Sequence, residues 1–211
     1  VLKIVEENPS LAKGSPDHNC SPLYHAIYSN SSPAVIDKLV ATGKSMDWID
    51  PESGMNIIHT AVSEKDTDML KKLLEISQND MPLAENGMTT FDVLAEAKTK
   101  DGSTALHLAV LRQSPEIFQY LVMDYDAISM TNNQRQNAIH LAAKTGNLSI
   151  LKNLLASLDA DEAKTLVNQR DNLGNTSMHY AAMAGDVEMI MTLRNAGAER
   201  KKNNAGETPL K

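Results

Sequence analysis

The sequence predicts an all-α solenoid of stacked helix-turn-helix units joined by short β-hairpin-like loops. Three observations carry that prediction. The heptapeptide Thr104-Ala-Leu-His-Leu-Ala-Val110 returns as Asn137-Ala-Ile-His-Leu-Ala-Ala143, Thr176-Ser-Met-His-Tyr-Ala-Ala182 and Asn56-Ile-Ile-His-Thr-Ala-Val62. Its histidines keep register: His107 and His140 stand 33 residues apart, and His140 and His179 stand 39 apart, one period plus six residues. A fixed period of this size marks units that cannot bury their apolar face alone and must stack. Aromatic residues make up only 4% of a chain that is 42% hydrophobic, which suits thin aliphatic layers better than a deep globular core.

The fullest copy runs Asp171-Asn-Leu-Gly-Asn-Thr-Ser-Met-His-Tyr-Ala-Ala-Met-Ala-Gly185, followed by Met189-Ile190, Leu193 and Gly197. It resembles the ankyrin repeat, whose pattern is D-x-x-G-x-T-P-L-H-x-A-A, then Gly, then an apolar second helix ending near Gly. The resemblance implies a non-catalytic scaffold that binds another protein, needs no cofactor, and forms about six repeats here. It does not name the partner.

Taken in order, residues 1–8 place Leu2, Ile4 and Val5 on one helical side before Asn8-Pro9, as the end of a preceding repeat would. Repeat 16–43 opens with Asn19 at the turn position, Ser21 as helix cap and Pro22 at the first helical position. Its second helix carries Val35, Ile36, Leu39 and Val40. Repeat 50–76 follows with Gly54, Asn56 and His59, and a stripe of Met69, Leu70, Leu73 and Leu74. Segment 84–100 looks like a truncated repeat. Gly87 begins it in phase, but His107 follows Asp92 by only 15 residues, so a second helix is lacking or a segment near 95–103 has been omitted, the reading favoured here.

The C-terminal half is more regular: repeat 101–125, repeat 132–168 with a charged, helix-compatible insertion at 159–165, repeat 171–198, and the start of another at 203–211. Arg135 stands where the turn glycine belongs, which predicts a strained hairpin tip. The residue three before each histidine is expected to cap the first helix, and the imidazole to return a bond to the cap or the adjoining loop.

The net charge of −7 argues against nucleic acid and is compatible with a partner bearing a basic surface. The lone Cys20 excludes an intrachain disulfide and fits a reducing, cytoplasmic or other intracellular compartment. The sequence contains no apolar run of about 18 residues. Self-limiting layers favour a monomer, and the ragged ends read as a piece of a longer protein. That leaves three settings: a non-catalytic protein-binding module within a larger protein, the targeting arm of a multidomain enzyme or host-directed effector, or the cytoplasmic repeat region of a membrane receptor or channel.

Four in-register histidines invite a metal or acid-base reading, but copies one repeat apart cannot converge on one ion. Asp17, His18, Cys20 and His25 form a ligand-like cluster without a second Cys/His pair at zinc spacing. The common phosphate, dinucleotide, zinc-protease and hydrolase motifs are absent from the sequence. Function is therefore expected on residues that the scaffold leaves free. By the resemblance, hairpin tips and the open side of the first helices form a concave surface. Its candidates are Met55 and Glu64; Ser103, Leu111 and Arg112; Asn133, Gln134, Gln136 and Lys144; and Asn172, Leu173, Asn175 and Met183, with Trp48 as a possible aromatic anchor. Met55, Leu111, Leu173 and Met183 are apolar where solvent alone would favour polarity.

Overall fold

In a computed structural model, the structure describes residues 23, 26, 48–78, 89–122 and 125–209. The readings on residues 1–8, on most of repeat 16–43 including Cys20, on Gly87 and on the last two residues lie outside them. Leu23 and Ala26 are helical and buried. The chain divides into two compact units, Val1–Lys100 and Asp101–Lys211.

The first unit contains α1 (Ile57–Ser63), α2 (Thr67–Gln78) and α3 (Thr90–Glu96). Helix α1 starts where Asn56 caps it, accepting from the Ile58 and His59 amides at 3.0 Å each. A cap of this kind contributes about 1 kcal/mol. Met69, Leu70 and Leu73 of α2 are buried against α1. Helix α3 packs on both α1 and α2, and Asn56 Nδ2 donates to the Leu94 carbonyl at 2.7 Å.

The second unit contains α4 (Ala105–Leu111), α5 (Pro115–Leu121), α6 (Tyr125–Ser129), α7 (Ala138–Thr145), α8 (Leu148–Ala156), α9 (Ala160–Val167), α10 (Ser177–Ala184) and α11 (Val187–Asn195). The first helices α4, α7 and α10 lie side by side, with α7 touching both neighbours, and the second helices α5, α8 and α11 form the layer behind them. Close approach needs small side chains, and Ala109, Ala142, Ala143 and Ala181 are fully buried at these contacts. Behind them Ile117, Phe118, Ile150, Leu151, Leu154, Met189 and Leu193 seal the layers, each contributing about 1.5–3 kcal/mol.

The insertion at 159–165 folds as α9. Asp159 caps it, accepting from the Asp161 and Glu162 amides at 2.9 and 2.8 Å, and Ala163, Leu166 and Val167 turn inward. Asn137 Nδ2 donates to the Leu166 carbonyl at 3.2 Å, the same bond that Asn56 makes to Leu94. By that bond, α3 stands to the repeat that begins at Asp50 as α9 stands to the one that begins at Asn132. Within the first unit, Lys100 N donates to the Ser53 carbonyl at 2.9 Å.

Candidate functional site: the inner helix face and hairpin tips

The histidines are built into the frame. The Thr104, Asn137 and Thr176 backbone N–H groups donate to Nδ1 of His107, His140 and His179 at 3.1, 3.3 and 3.0 Å. With Nδ1 accepting, Nε2 carries the proton and donates to the next loop: His107 to the Gln136 carbonyl at 3.1 Å, His140 to Gln169 at 3.0 Å, and His179 to Glu207 at 3.2 Å. Both ring nitrogens are committed, and all three rings are buried. Burial pushes the His140 imidazole below its ordinary value of 6.5 against the opposing pull of the Asp171 charge and the Gln169 carbonyl, which keeps it neutral. Among the described residues no group of three or more His, Cys, Asp or Glu side chains is placed to hold a metal ion.

Each hairpin tip is closed by a backbone bond and an Asx-type turn. Asn132 Oδ1 accepts from the Gln134 and Gln136 amides at 3.0 and 2.9 Å, and Asp171 Oδ1 from the Leu173 and Asn175 amides at 2.9 Å each. The tips of the second unit are linked in a row: Asn133 N to Asp101 O, Asn172 N to Gln134 O and Asn204 N to Leu173 O, all 3.0 Å. Arg135 adopts φ +58°, the left-handed conformation expected to strain that tip.

Beneath two of these tips lies a polar knot. Tyr180 OH donates to Asp171 Oδ2 at 2.5 Å, and Gln136 Nε2 donates to Tyr180 OH at 2.7 Å and to Asp171 Oδ2 at 3.4 Å. Burial pushes the Asp171 carboxyl up, but the bonds from Tyr180, the Asn175 amide, Gln136 and the Leu173 amide outweigh it and hold it below its ordinary 3.8. Burial, with the Asp171 carboxylate, pushes Tyr180 up to about 12. The Lys144 ammonium sits 5.8 Å above the centre of the Tyr180 ring. One aromatic side chain thus joins the base of the tips to the face of the first helices.

On that face Leu111, Lys144 and Met183 occupy the same position, at or near the C-terminal ends of α4, α7 and α10, and all three are exposed, Leu111 at 41% and Met183 at 77%. Arg112, Asn133, Gln134, Asn172 and Leu173 are exposed as well, Leu173 at 65%. Asn172 is partly engaged, its Nδ2 donating to the Asn133 carbonyl at 2.9 Å. In the first unit Glu64 is exposed, and Met55 and Trp48 are half-buried.

Three candidates do not reach solvent, and their expected place on the open surface is corrected. Ser103 is buried with its hydroxyl on Asp101 Oδ2 at 3.1 Å, Gln136 belongs to the Tyr180 knot, and Asn175 Oδ1 accepts from Asn203 Nδ2 at 2.9 Å. All three sit between the turn and the cap, where the extended backbone turns the side chain inward. Exposed apolar residues that the sequence reading passed over include Val187 and Met191 on α11 and Ile49 and Val93 in the first unit. Arg135, read only as a turn anomaly, is also an exposed cation at a tip.

A profile describing three copies of the ankyrin repeat matches residues 81–165, and one describing many copies matches residues 139–194. The chain belongs to the ankyrin-repeat family. Ankyrin repeats generally mediate protein–protein interaction. Among similar proteins, the human neurogenic locus notch homolog protein 1 is 30% identical over 186 residues, covering 85% of this chain and 6% of that protein. The rat nuclear factor NF-kappa-B p105 subunit is 23% identical over 175 residues, covering 83% and 17%. The palmitoyltransferase AKR1 of Debaryomyces hansenii is 26% identical, covering 79% and 26%. The chain thus spans about a quarter or less of these relatives. No described helix is long and apolar enough to cross a membrane.

Proposed function

We propose that this chain is a non-catalytic protein-interaction scaffold within a longer protein, and that it takes its partner along the first-helix face and hairpin tips. The observation that carries the reading is the exposed row Leu111, Lys144 and Met183, with Leu173 at a tip. In the repeats around them, the caps, alanines and histidines are consumed by stacking. Apolar side chains left in solvent beside polar ones are the composition of an interface core with its rim. The targeting-arm reading draws support from relatives named as a palmitoyltransferase and, in Drosophila melanogaster, the tyrosine-protein kinase Shark. Under either reading the fragment itself binds and does not catalyse. A monomer in a reducing, cytoplasmic setting is part of the proposal, drawn from the single cysteine and the self-limiting layers.

The test compares the parent with Leu111→Glu/Leu173→Glu/Met183→Glu as bait for cellular protein. All three side chains are exposed, so the triple variant folds. A protein held by the parent and released by the variant supports this face. Identical retention by both removes the assignment.

A further inference from the structure

Whole-chain charge and local charge differ in sign at the exposed ends of the first helices of the second unit. The chain carries −7. There the exposed charges are Lys144, between Leu111 and Met183 in the row, and Arg112, directly after Leu111; at the tips Arg135 is exposed, with the carboxylates Asp101 and Glu207 on flanking tips. None of the three forms an ion pair among the described residues, whereas Lys152 and Lys201 pair with Glu188 and Glu199 at 2.9 and 3.4 Å elsewhere. The nearby carboxylates accept from neutral donors, most of them within their own turns. Asp101 accepts from the Ser103 amide and hydroxyl at 3.1 Å each, Asp171 is buried under Tyr180, Asp186 caps α11 through the Met189 amide at 3.0 Å, and Glu207 accepts from Asn203 Nδ2 at 3.3 Å. Glu116, Asp161 and Glu188 belong to α5, α9 and α11, behind or beside the first-helix layer.

Two details single out Lys144 and Arg135. Lys144 is seated over the Tyr180 ring, which orients the ammonium while leaving its hydrogen-bond donors open. Arg135 keeps a side chain at φ +58°, where the neighbouring tips use Gly102 at +79° and Gly174 at +76°. A glycine would remove that strain along with the charge.

We infer that the inner face of the second unit docks an acidic segment of a partner protein, its carboxylates meeting Lys144, Arg135 and Arg112 while its apolar side chains seat against Leu111, Leu173 and Met183. This rests on the protein-binding reading above, and it reverses for this face the basic partner that the net charge favours. Net negative charge repels such a segment at long range, and the attraction of Lys144, Arg135 and Arg112 acts once it is within a Debye length of about 8–10 Å.

The experiment is a random peptide-display selection on the intact 211-residue chain, with the recovered peptides labelled and titrated by fluorescence anisotropy. The expected peptides carry net negative charge and interspersed Leu, Phe or Met. Lys144→Glu and Arg135→Gly, the second of which suits the backbone, each weaken binding roughly three- to tenfold, and added salt weakens it further. Leu111→Ala/Met183→Ala weakens it as well. If the peptides are basic, or the charge variants bind them unchanged while the apolar variant loses them, the acidic partner is wrong and the binding face stands. If no peptide is recovered, or every variant binds alike, the binding face falls with it.

Discussion

Removing one oxygen, by Tyr180→Phe, tests the polar knot that ties the hairpin tips to the first helices. The ring stays, so packing is retained. What is lost is the 2.5 Å bond to Asp171 Oδ2 and the acceptor for Gln136 Nε2 at 2.7 Å. Asp171 keeps the Leu173 and Asn175 amides on Oδ1, and on Oδ2 only Gln136 at 3.4 Å. A hydrogen bond to a buried charged group contributes about 1.5–3 kcal/mol. For a chain of this size that lowers the melting temperature by roughly 3–12 °C. Urea denaturation followed by circular dichroism, with hydrogen exchange on α7 and α10 to isolate the second unit, reads the loss. The pH dependence carries a sign. Because the folded Asp171 carboxyl lies below its ordinary 3.8, its stabilisation is complete above that value and is lost as pH falls through the lower folded one. The gap between parent and variant therefore holds steady from about pH 7 to pH 5 and closes below about pH 4. A gap under about 0.5 kcal/mol at neutral pH, the size of an ordinary surface substitution, or one that widens in acid, would refute the reasoning.

Gly102→Ala should destabilise by at least about 1–2 kcal/mol from its φ of +79° alone, and further because a Cβ there meets the Asn133 backbone nitrogen at 2.6 Å; thermal melts check it. Arg135→Gly has the opposite sign, raising stability by roughly 0.5–1 kcal/mol in the same assay, because its backbone already sits in the glycine region. His140→Gln should flatten the acid limb of the stability curve. The His140 pKa is depressed in the folded state, so the parent loses stability as pH drops below the ordinary 6.5, where the unfolded chain takes up the proton more readily. Denaturation at about pH 7.5 and pH 5.5 compares the slopes, and equal slopes in parent and variant contradict the buried neutral ring.

Most of the frame was legible because each repeat signals locally. The threonine or asparagine three residues before a histidine binds the first-turn amides, and that pairing needs only sequence spacing to be seen. Local signals do less to place the helix that begins after Thr89. The Thr89 hydroxyl and amide pair with Asp92 as a capping box, so 84–100 reads like the opening of a repeat, yet α3 is placed by tertiary contacts with α1 and α2 that no short window contains. Side-chain direction near the tips was the other loss. Gln136 follows three exposed residues and looks exposed, and only the partners Tyr180 and Asp171, 44 and 35 residues on, turn it inward. Tyr180 was the available signal: a phenol beside an otherwise aliphatic layer requires a polar partner. Arg135 was seen as a backbone anomaly, and its charge gains meaning only once Lys144 and Arg112 are placed on the same face.

The central claim, that binding occurs on the first-helix face and tips of the second unit, is tested most directly by a hydrogen-exchange footprint of the chain with a peptide from the display selection. The account predicts new protection in residues 105–112, 133–136, 138–145 and 172–184 with little change in α5, α8 and α11. Protection concentrated on α5, α8 and α11, with the first helices unchanged, would contradict it.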